Sequence, residues 1–505
     1  MVTIRVSDKP FLQHDVKAFV LCLNENFNFD NELLQLEKQF FPGLRAIMEE
    51  QGFKGKVSDI LVVPVSSNST VVHLMFAGLG KRDHEGYIPV ENYRRAVGHI
   101  IKALVKHKCL SVAMQLPSAE LFGVKPDYLA SQTSCISSMA AYHFDEFITN
   151  PTRKEQGDIV INLVTRNDFK EITKGIENGN TISHAVNTAR HWVDLPPCNL
   201  TPVELAEKAK EIAHKQNLKV TIFNEDEVTQ MGMGGLSAVA RGSERECQFV
   251  IIEYNAAEKN VPTLGFVGKG ITFDSGGLSL KTAQHMETMK EDMAGAASVL
   301  SAIHAIAVLK PAINVIAIAP LAENLPSDKS LKPGDIIQFY NGKTAEVKNT
   351  DAEGRLILAD ALAYAVKHYD LDALVDIATL TGSCMHALGP FFSGLLSQNE
   401  SLVENIYEAS RISGERVWRL PLDDDYKPAI KSDVADMCNI GKKQYFAGAI
   451  TAAWFLNEFV DDVPWVHLDI AGTAYDVPDI SYYGKGATGV GTRLLIELAM
   501  NWKAF

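Results

Sequence analysis

Between residues 219 and 470 the chain alternates short, nearly continuous apolar runs with longer apolar-periodic ones, which leaves few folds open to it. Runs at 219–223, 249–254, 263–267, 314–319, 373–378 and 466–470 read as strands; 295–309, 356–368 and 449–459 read as helices. Strands without a polar face, separated by helices, belong in a sheet covered on both sides. The first third repeats the pattern on a smaller scale, with strands expected at 17–24, 60–65, 71–77, 110–116 and 158–165 and an amphipathic helix at 92–107. Gly78 and Gly80 read as a glycine-rich turn closing one of these strands. No third glycine follows at the spacing of a phosphate-binding loop, which argues against a nucleotide there.

A chain of 505 residues exceeds what one hydrophobic core organises. The expected fold class is α/β: a small N-terminal α/β domain over 1–168, a linker helix over 169–190, and a larger C-terminal α/β domain over 191–505. The larger domain should carry a mixed, mostly parallel central sheet flanked by helices. Thr201, Pro202 and Glu204 have the spacing of a capping box with proline at the first helical position, predicting a helix to about residue 216.

Chemistry collects at the ends of these elements. In Asn349-Thr350-Asp351-Ala352-Glu353-Gly354-Arg355-Leu356, two carboxylates and a guanidinium stand at alternate positions. An extended strand would put all three on one face. Taken alone, the string reads more readily as an ion pair on a solvated loop. Lys269, Asp274 and Lys281 follow the strand at 263–267, among Gly268, Gly270, Gly276 and Gly277, at the carboxyl end where α/β sheets place ligands. Walker spacing is absent, and Asp274 would repel a phosphate. Asp292 sits at the head of the alanine-rich helix, where the helix dipole favours an acid in any case. Together, four acids at element ends of one domain would repel one another without bound cations. Oxygen donors suit magnesium and manganese, and zinc also accepts carboxylates. The residues themselves therefore point to a two-metal hydrolase of unspecified substrate.

These residues resemble the leucyl aminopeptidase family of two-metal cytosolic peptidases. The octapeptide at 349–356 matches its signature, and Val267-Gly268-Lys269-Gly270-Ile271-Thr272-Phe273-Asp274-Ser275-Gly276-Gly277 with Lys281 matches its metal-lysine loop. Met289-Lys290, Asp292-Met293 and Gly295-Ala296-Ala297 follow, then Asp376-Ile377-Ala378-Thr379-Leu380-Thr381-Gly382, Ile450-Thr451-Ala452-Ala453, His467-Leu468-Asp469-Ile470-Ala471-Gly472 and Ala487-Thr488-Gly489. The resemblance spans about residues 180 to 505, and the first third fits the family's smaller domain in outline.

It implies a metallo-exopeptidase that releases N-terminal leucine and other apolar residues by two-metal activation of a bridging water. One divalent ion would be held by Lys269 (through a neutral amine), Asp274, Asp292 and Glu353, the other by Asp274, Asp351 and Glu353. The ions would be zinc or manganese, with magnesium or cobalt as further possibilities. Lys281 would bind the scissile carbonyl and its oxyanion, Arg355 a bicarbonate serving as general base, and one metal the peptide's free amine. Met289, Asn349, Thr379, Gly382, Ala471 and Ala474 correspond to the pocket for the first side chain. The family also implies a homohexamer, a dimer of trimers, acting on peptides in the cytoplasm. Two departures from its pattern stand out. Thr282 occupies a usual proline position, and Met437, where lysine is frequent, is expected near the pocket rim.

Composition narrows the alternatives. A net charge of −14 argues against a chain whose main task is gripping nucleic acid. A DNA-binding or regulatory role, or an inactive scaffold, remains the competing reading within the same family; the intact set of seven site residues weighs against the scaffold. Seven scattered cysteines without a C-x-x-C pair read as reduced thiols. Residues 1–9 lack the pattern of a secretory signal, and 294–309, the longest apolar stretch, is broken by Ser298, Ser301 and His304 and reads as a core helix rather than a membrane span.

Overall fold

The apolar runs pair into two large sheets, one in each of two compact units: Met1–Ser183 with Asp479–Gly484, and His184–Pro478 with Lys485–Phe505. The computed structural model describes residues 2–67, 70–150 and 157–505.

The first unit has six strands: β1 (Val2–Ser7), β2 (Ala18–Asn24), β3 (Ile60–Ser67), β4 (Thr70–Gly80), β5 (Ser111–Gln115) and β6 (Ile159–Val164). They lie in the order β1-β6-β5-β2-β4-β3, and every pairing is parallel except β3 with β4. Phe19, Leu33, Leu36, Leu74 and Phe76 centre the core against one face. The glycine-rich turn expected at 78–80 is instead the end of β4. A Cβ on Gly78 would stand 1.9 Å from the carbonyl oxygen of Lys56, so this glycine serves the contact of two backbones.

Strands β7 (Lys219–Phe223), β8 (Gln248–Tyr254), β9 (Thr263–Gly268), β10 (Gly270–Asp274), β11 (Asn314–Asn324), β12 (Ile336–Gln338), β13 (Thr344–Glu346), β14 (Ala373–Ala378), β15 (Ser393–Leu396), β16 (Val417–Arg419), β17 (Met437–Cys438) and β18 (Trp465–Asp469) belong to the second unit. Its main sheet runs β16-β15-β18-β14-β9-β11-β8-β7, with β10 beside the end of β11. The centre, β18-β14-β9-β11, is parallel, and the strands flanking it, β15 and β8, are antiparallel to it. The mixed, mostly parallel sheet expected from the sequence is therefore present. Helices Gly354–His368 and Gly448–Asn457 pack in the core that includes Leu356, Leu362, Trp454 and Phe455. Helix Ala294–Leu309 contacts β9, β11 and β14. Its run Met289–Leu309 is apolar enough to cross a membrane, but 83% of that window is buried inside the fold, as a core helix requires.

Several boundaries differ from expectation. The polar stretch at 170–190 lies within one continuous helix, Phe169–Asp194. The capping box forms, with the Thr201 N–H donating to Glu204 at 3.2 Å, and its helix is Pro202–Lys215. Met437 is in β17, paired with Ala345 and 3% exposed, so its side chain packs in the core.

Candidate functional site

The parallel neighbours β9 and β14 end side by side, β11 runs on beside β10 to Asn324, and the polar residues at these carboxyl ends converge. Lys269 follows β9. Its buried ammonium lies 2.7 Å from Asp292 Oδ1 and 3.0 Å from Glu353 Oε1, and donates to the Thr379 carbonyl at 2.9 Å. Asp292 is brought there by a 3-10 turn, Met289–Met293, that precedes the core helix, and its Oδ1 also accepts the Thr379 hydroxyl at 2.7 Å. The aliphatic arm of Lys269 passes directly over Gly354. A Cβ at 354 would stand 2.4 Å from Lys269 Cε and 2.7 Å from its Nζ.

Lys281 forms the other half of the cluster. Its Nζ is 2.8 Å from Asp274 Oδ2 and 2.7 Å from Asp351 Oδ1, the latter an ion pair without hydrogen-bond alignment. Ligand atoms of Asp274, Asp351 and Glu353 all lie within 4.8 Å of one another. This convergence does not come from an extended strand. Asp351 is in a turn, Glu353 is the N-cap of the helix with helical dihedrals (φ −77, ψ −35), and Arg355 is already inside that helix. The chain turns tightly between Asp351 and Glu353, so the two acids meet without the period-2 geometry. Arg355 is nearly buried, and its Nη1 donates to the Asn439 carbonyl at 2.8 Å.

Four carboxylates here face two ammonium groups and one guanidinium. Burial works against the Lys269 charge, but Asp292, Glu353 and Asp274 outweigh it and hold the ammonium above its ordinary range. Burial likewise opposes the Lys281 charge and is outweighed by Asp274 and Glu353. Asp274 is pushed up to about 6 by burial and by Glu353, against the pull of both lysines. Burial raises Asp292 well above the carboxylate range, and it raises Asp351. For Glu353, burial pulls upward, but Lys269 and Lys281 win and hold it low. Arg355 is drawn down to about 10 by burial, against Glu353 and Asp469.

Among the described residues, three buried atoms of this cluster have no hydrogen-bond partner: Asp292 Oδ2, Asp351 Oδ1 and Arg355 Nε. A buried carboxylate oxygen without a donor calls for a cation, and a buried guanidinium N–H without an acceptor calls for an anion. The donor set thus fits divalent metal ions beside a small anion. Lys269 can join as a nitrogen ligand after losing its proton, which a nearby dication favours.

Some residues that build this site were not singled out from sequence. Asn324, at the end of β11, donates through Nδ2 to Asp274 Oδ1 (2.8 Å), to the Thr350 carbonyl (3.0 Å) and toward Glu353 Oε2 (3.4 Å). Asp469, at the end of β18, accepts the Thr381 hydroxyl at 2.6 Å and the Ala471 N–H at 3.2 Å. Asn324 and Asp469 close apolar runs at the carboxyl edge of the sheet, and that position was the available signal. Asn439 has none; only the fold brings it to Arg355. Of the expected pocket residues, Asn349 and Gly382 line a cavity of about 270 Å³ together with Asp351, Ala352, Arg355 and Leu380. Thr379 touches Asp292 and Lys269 instead. Met289, Ala471 and Ala474 do not line that cavity.

Comparison with known proteins places this geometry. The model of the cytosol aminopeptidase family's catalytic domain matches residues 187–496, and that of its N-terminal domain matches residues 24–151. A probable cytosol aminopeptidase of Alkaliphilus oremlandii is 38% identical over 473 residues, 93% of each chain. One of Roseiflexus castenholzii is 40% identical over 471 residues, 92% of this chain and 95% of its own. A mutant of tomato leucine aminopeptidase superposes with a TM-score of 0.87 at 31% identity, covering 99% of this chain and 96% of its own. A bottromycin maturation enzyme in complex with Mn superposes with a TM-score of 0.84 at 30% identity, covering 96% of this chain and 99% of its own.

Proposed function

The chain belongs to the cytosol aminopeptidase family and is a peptide hydrolase, and from that premise we propose that it releases N-terminal residues, leucine and other apolar ones by preference, in a reaction that depends on two divalent metal ions. The observation that carries this reading is the convergence of Asp274, Asp351 and Glu353 within 4.8 Å, beside the unpartnered Oδ2 of Asp292. In our assignment Lys269, Asp274, Asp292 and Glu353 hold one ion, and Asp274, Asp351 and Glu353 the other. Manganese in the related maturation enzyme supports a divalent ion here, which we assign as zinc or manganese, with magnesium or cobalt as further possibilities. When bound, the ions supply an activated water and a polarised scissile carbonyl.

The chain's own residues do the rest. Lys281 donates to the oxygen that gains charge as the carbonyl is attacked, exchanging one of its two carboxylate contacts to do so. Arg355 offers its free Nε–H to a bicarbonate, the general base in this reading, and a guanidinium does so without competing for metal. Asn324 keeps Asp274 oriented with its oxygens available. Asn349, Gly382, Met289, Thr379 and Ala471 are assigned to substrate binding. A homohexamer in the cytoplasm, built from chains divided at 1–168, 169–190 and 191–505, completes the proposal. The relatives' name as cytosol aminopeptidases supports the location.

The test is hydrolysis of a panel of aminoacyl substrates after chelation and on readdition of zinc, manganese, magnesium or cobalt. Activity should vanish with the metals and return with at least one, and Glu353→Gln should be inactive under every condition. Full activity in the chelated enzyme or in Glu353→Gln would overturn the assignment.

A further inference from the structure

The first unit contains a cavity that shares no residue with the hydrolytic site, and the path of the chain through its sheet explains it. β2 and β5 are parallel neighbours. From β2 the chain passes to the helix Asn31–Phe40, whose Leu33 and Leu36 pack with Phe19 and Leu21 on one face. The helices that follow β4 and β5, Val90–Lys106 and Pro126–Ala141, lie together, with the Tyr93 and Thr133 hydroxyls hydrogen-bonded at 2.7 Å. Tyr93 faces Cys22 of β2, which is out of step with Phe19 and Leu21 and so points to the opposite face. Adjacent strands whose chains leave to opposite faces open a crevice past their carboxyl ends, where sheets of this class hold ligands. The cavity, of about 1280 Å³, lies there. Its lining includes Lys9 past β1, Gln115 at the end of β5, Arg166 past β6, and Glu32 and Lys38 of the helix.

Gln115 decides what this space can hold. Its Nε2 donates to Glu32 Oε1 at 2.7 Å, which fixes the amide's orientation, since the reverse would set oxygen against carboxylate. Its Oε1 is then buried with no donor, a costly state that a donor from a ligand relieves. The orphan oxygen and the neighbouring carboxylate together suit an ammonium group. Lys9, Lys38 and Arg166 around them are exposed; Arg166 reaches Glu32 only at 3.9 Å, and neither lysine forms an ion pair with a described residue. A phosphate fits poorly. No glycine is among the described lining residues, and Asp30 Oδ1 already accepts the N–H groups of Glu32 and Leu33, at 3.1 and 3.3 Å, at the head of the helix. The volume exceeds the usual range of small-ligand pockets, so charge rather than fit selects the occupant. We propose that this cavity is a second ligand site, for small zwitterions with a primary ammonium and a carboxylate: a free amino acid or a short peptide. The ammonium donates to Gln115 Oε1 and Glu32, and the carboxylate pairs with Arg166 and the two lysines. No bond is made or broken there, and the site does not depend on the hydrolytic reading.

Hydrogen exchange on the full-length, metal-loaded protein tests this by place. Leucine should protect amides within 8–13, 30–39, 115–118 and 164–167. 4-Methylpentanoate, which lacks the amine, and 3-methylbutylamine, which lacks the carboxylate, should leave them unprotected. Gln115→Leu should weaken leucine binding at these segments about tenfold, read from the concentration that gives half protection. The triple variant Lys9→Ala/Lys38→Ala/Arg166→Ala should do the same, and its exposed side chains can be removed without loss of packing. Thermal melts check that each variant is folded, and kcat/KM on a chromogenic aminoacyl substrate should stay at the wild-type value in both. Leucylleucine, offered to the Glu353→Gln chain and recovered intact, separates the two sources. Protection at lower concentration than leucine assigns the site to short peptides, and at higher concentration to free amino acids. No protection by either, equal protection by the ligands that lack one charge, or wild-type affinity in both variants overturns the proposal.

Discussion

A methyl group at residue 354 would stand 2.4 Å from Cε of Lys269, far inside van der Waals contact, with helix backbone behind it and a buried amine in front. Either the lysine arm or the first turn of the helix must move, and the amine sits on Asp292 and Glu353 at 2.7 and 3.0 Å. Displacements of this size at reacting groups reduce rates about 10²-fold. Helix propensity pulls the other way, since alanine is favoured over glycine in a helix by about 1 kcal/mol. Gly354→Ala is therefore expected to lose about two orders of magnitude in kcat/KM while its melting temperature changes little. A variant with full activity would show that Lys269 need not stay where it is. This residue also marks what could be read beforehand. From sequence, the alternation of Asp351, Glu353 and Arg355 read as an extended strand with all three on one face. The structure instead has a helix start and a lysine arm as the neighbour. The gathering of Lys269, Asp274, Lys281, Asp292, Asp351 and Glu353 was legible because acids and amines collect at element ends of one domain. Asn324 and Asn439 were not, because a neutral amide in a loop or at a strand end looks the same whether or not it orients a carboxylate.

The same helix, Gly354–His368, is tied to its surroundings by a buried acid in its interior. Asp360 is fully buried and accepts the N–H groups of Leu236 and Tyr340, both at 2.9 Å. Burial pushes its pKa up to about 7, against those backbone donors. The unfolded chain releases this proton near pH 4, so between about pH 4 and 7 the native state binds more protons than the unfolded one. Stability from this group is then highest in acid and falls as pH rises through that window, by on the order of a few kcal/mol. Comparing wild type with Asp360→Asn isolates the effect, because the other buried acids titrate in both. The variant should show a flatter dependence of denaturant-derived stability on pH from 4 to 7, and parallel curves would refute the assignment. Elements of this length were legible from their periodicity, as the boundaries of Gly354–His368 and Ala294–Leu309 lie within two residues of expectation. Strands β12, β13, β15, β16 and β17 have two to four residues each, too few for any period to declare itself, and long-range pairing alone defines them.

At the scale of the whole molecule, the two edges of the nine-stranded sheet are finished differently. On β7, Lys219 makes a 2.8 Å ion pair with Glu253 of the neighbouring strand, a charged finish of the kind that discourages further pairing. On β16, Trp418 is 58% exposed, stacked edge-on against Phe392 at 6.0 Å, with the Arg416 guanidinium 4.6 Å from the Phe392 ring. An aromatic edge of this kind is the sort of surface that assemblies cover. Together with the family resemblance it supports the homohexamer. Six copies of a 55.4 kDa chain give about 330 kDa, measurable by light scattering or native mass spectrometry. Mass action adds an independent readout: a folded state stabilised by association should melt at higher temperature as protein concentration rises. Trp418→Lys should weaken both signals if this edge is among the covered surfaces. A stable, fully active 55.4 kDa species whose melting temperature is independent of concentration would exclude assembly as a condition of function.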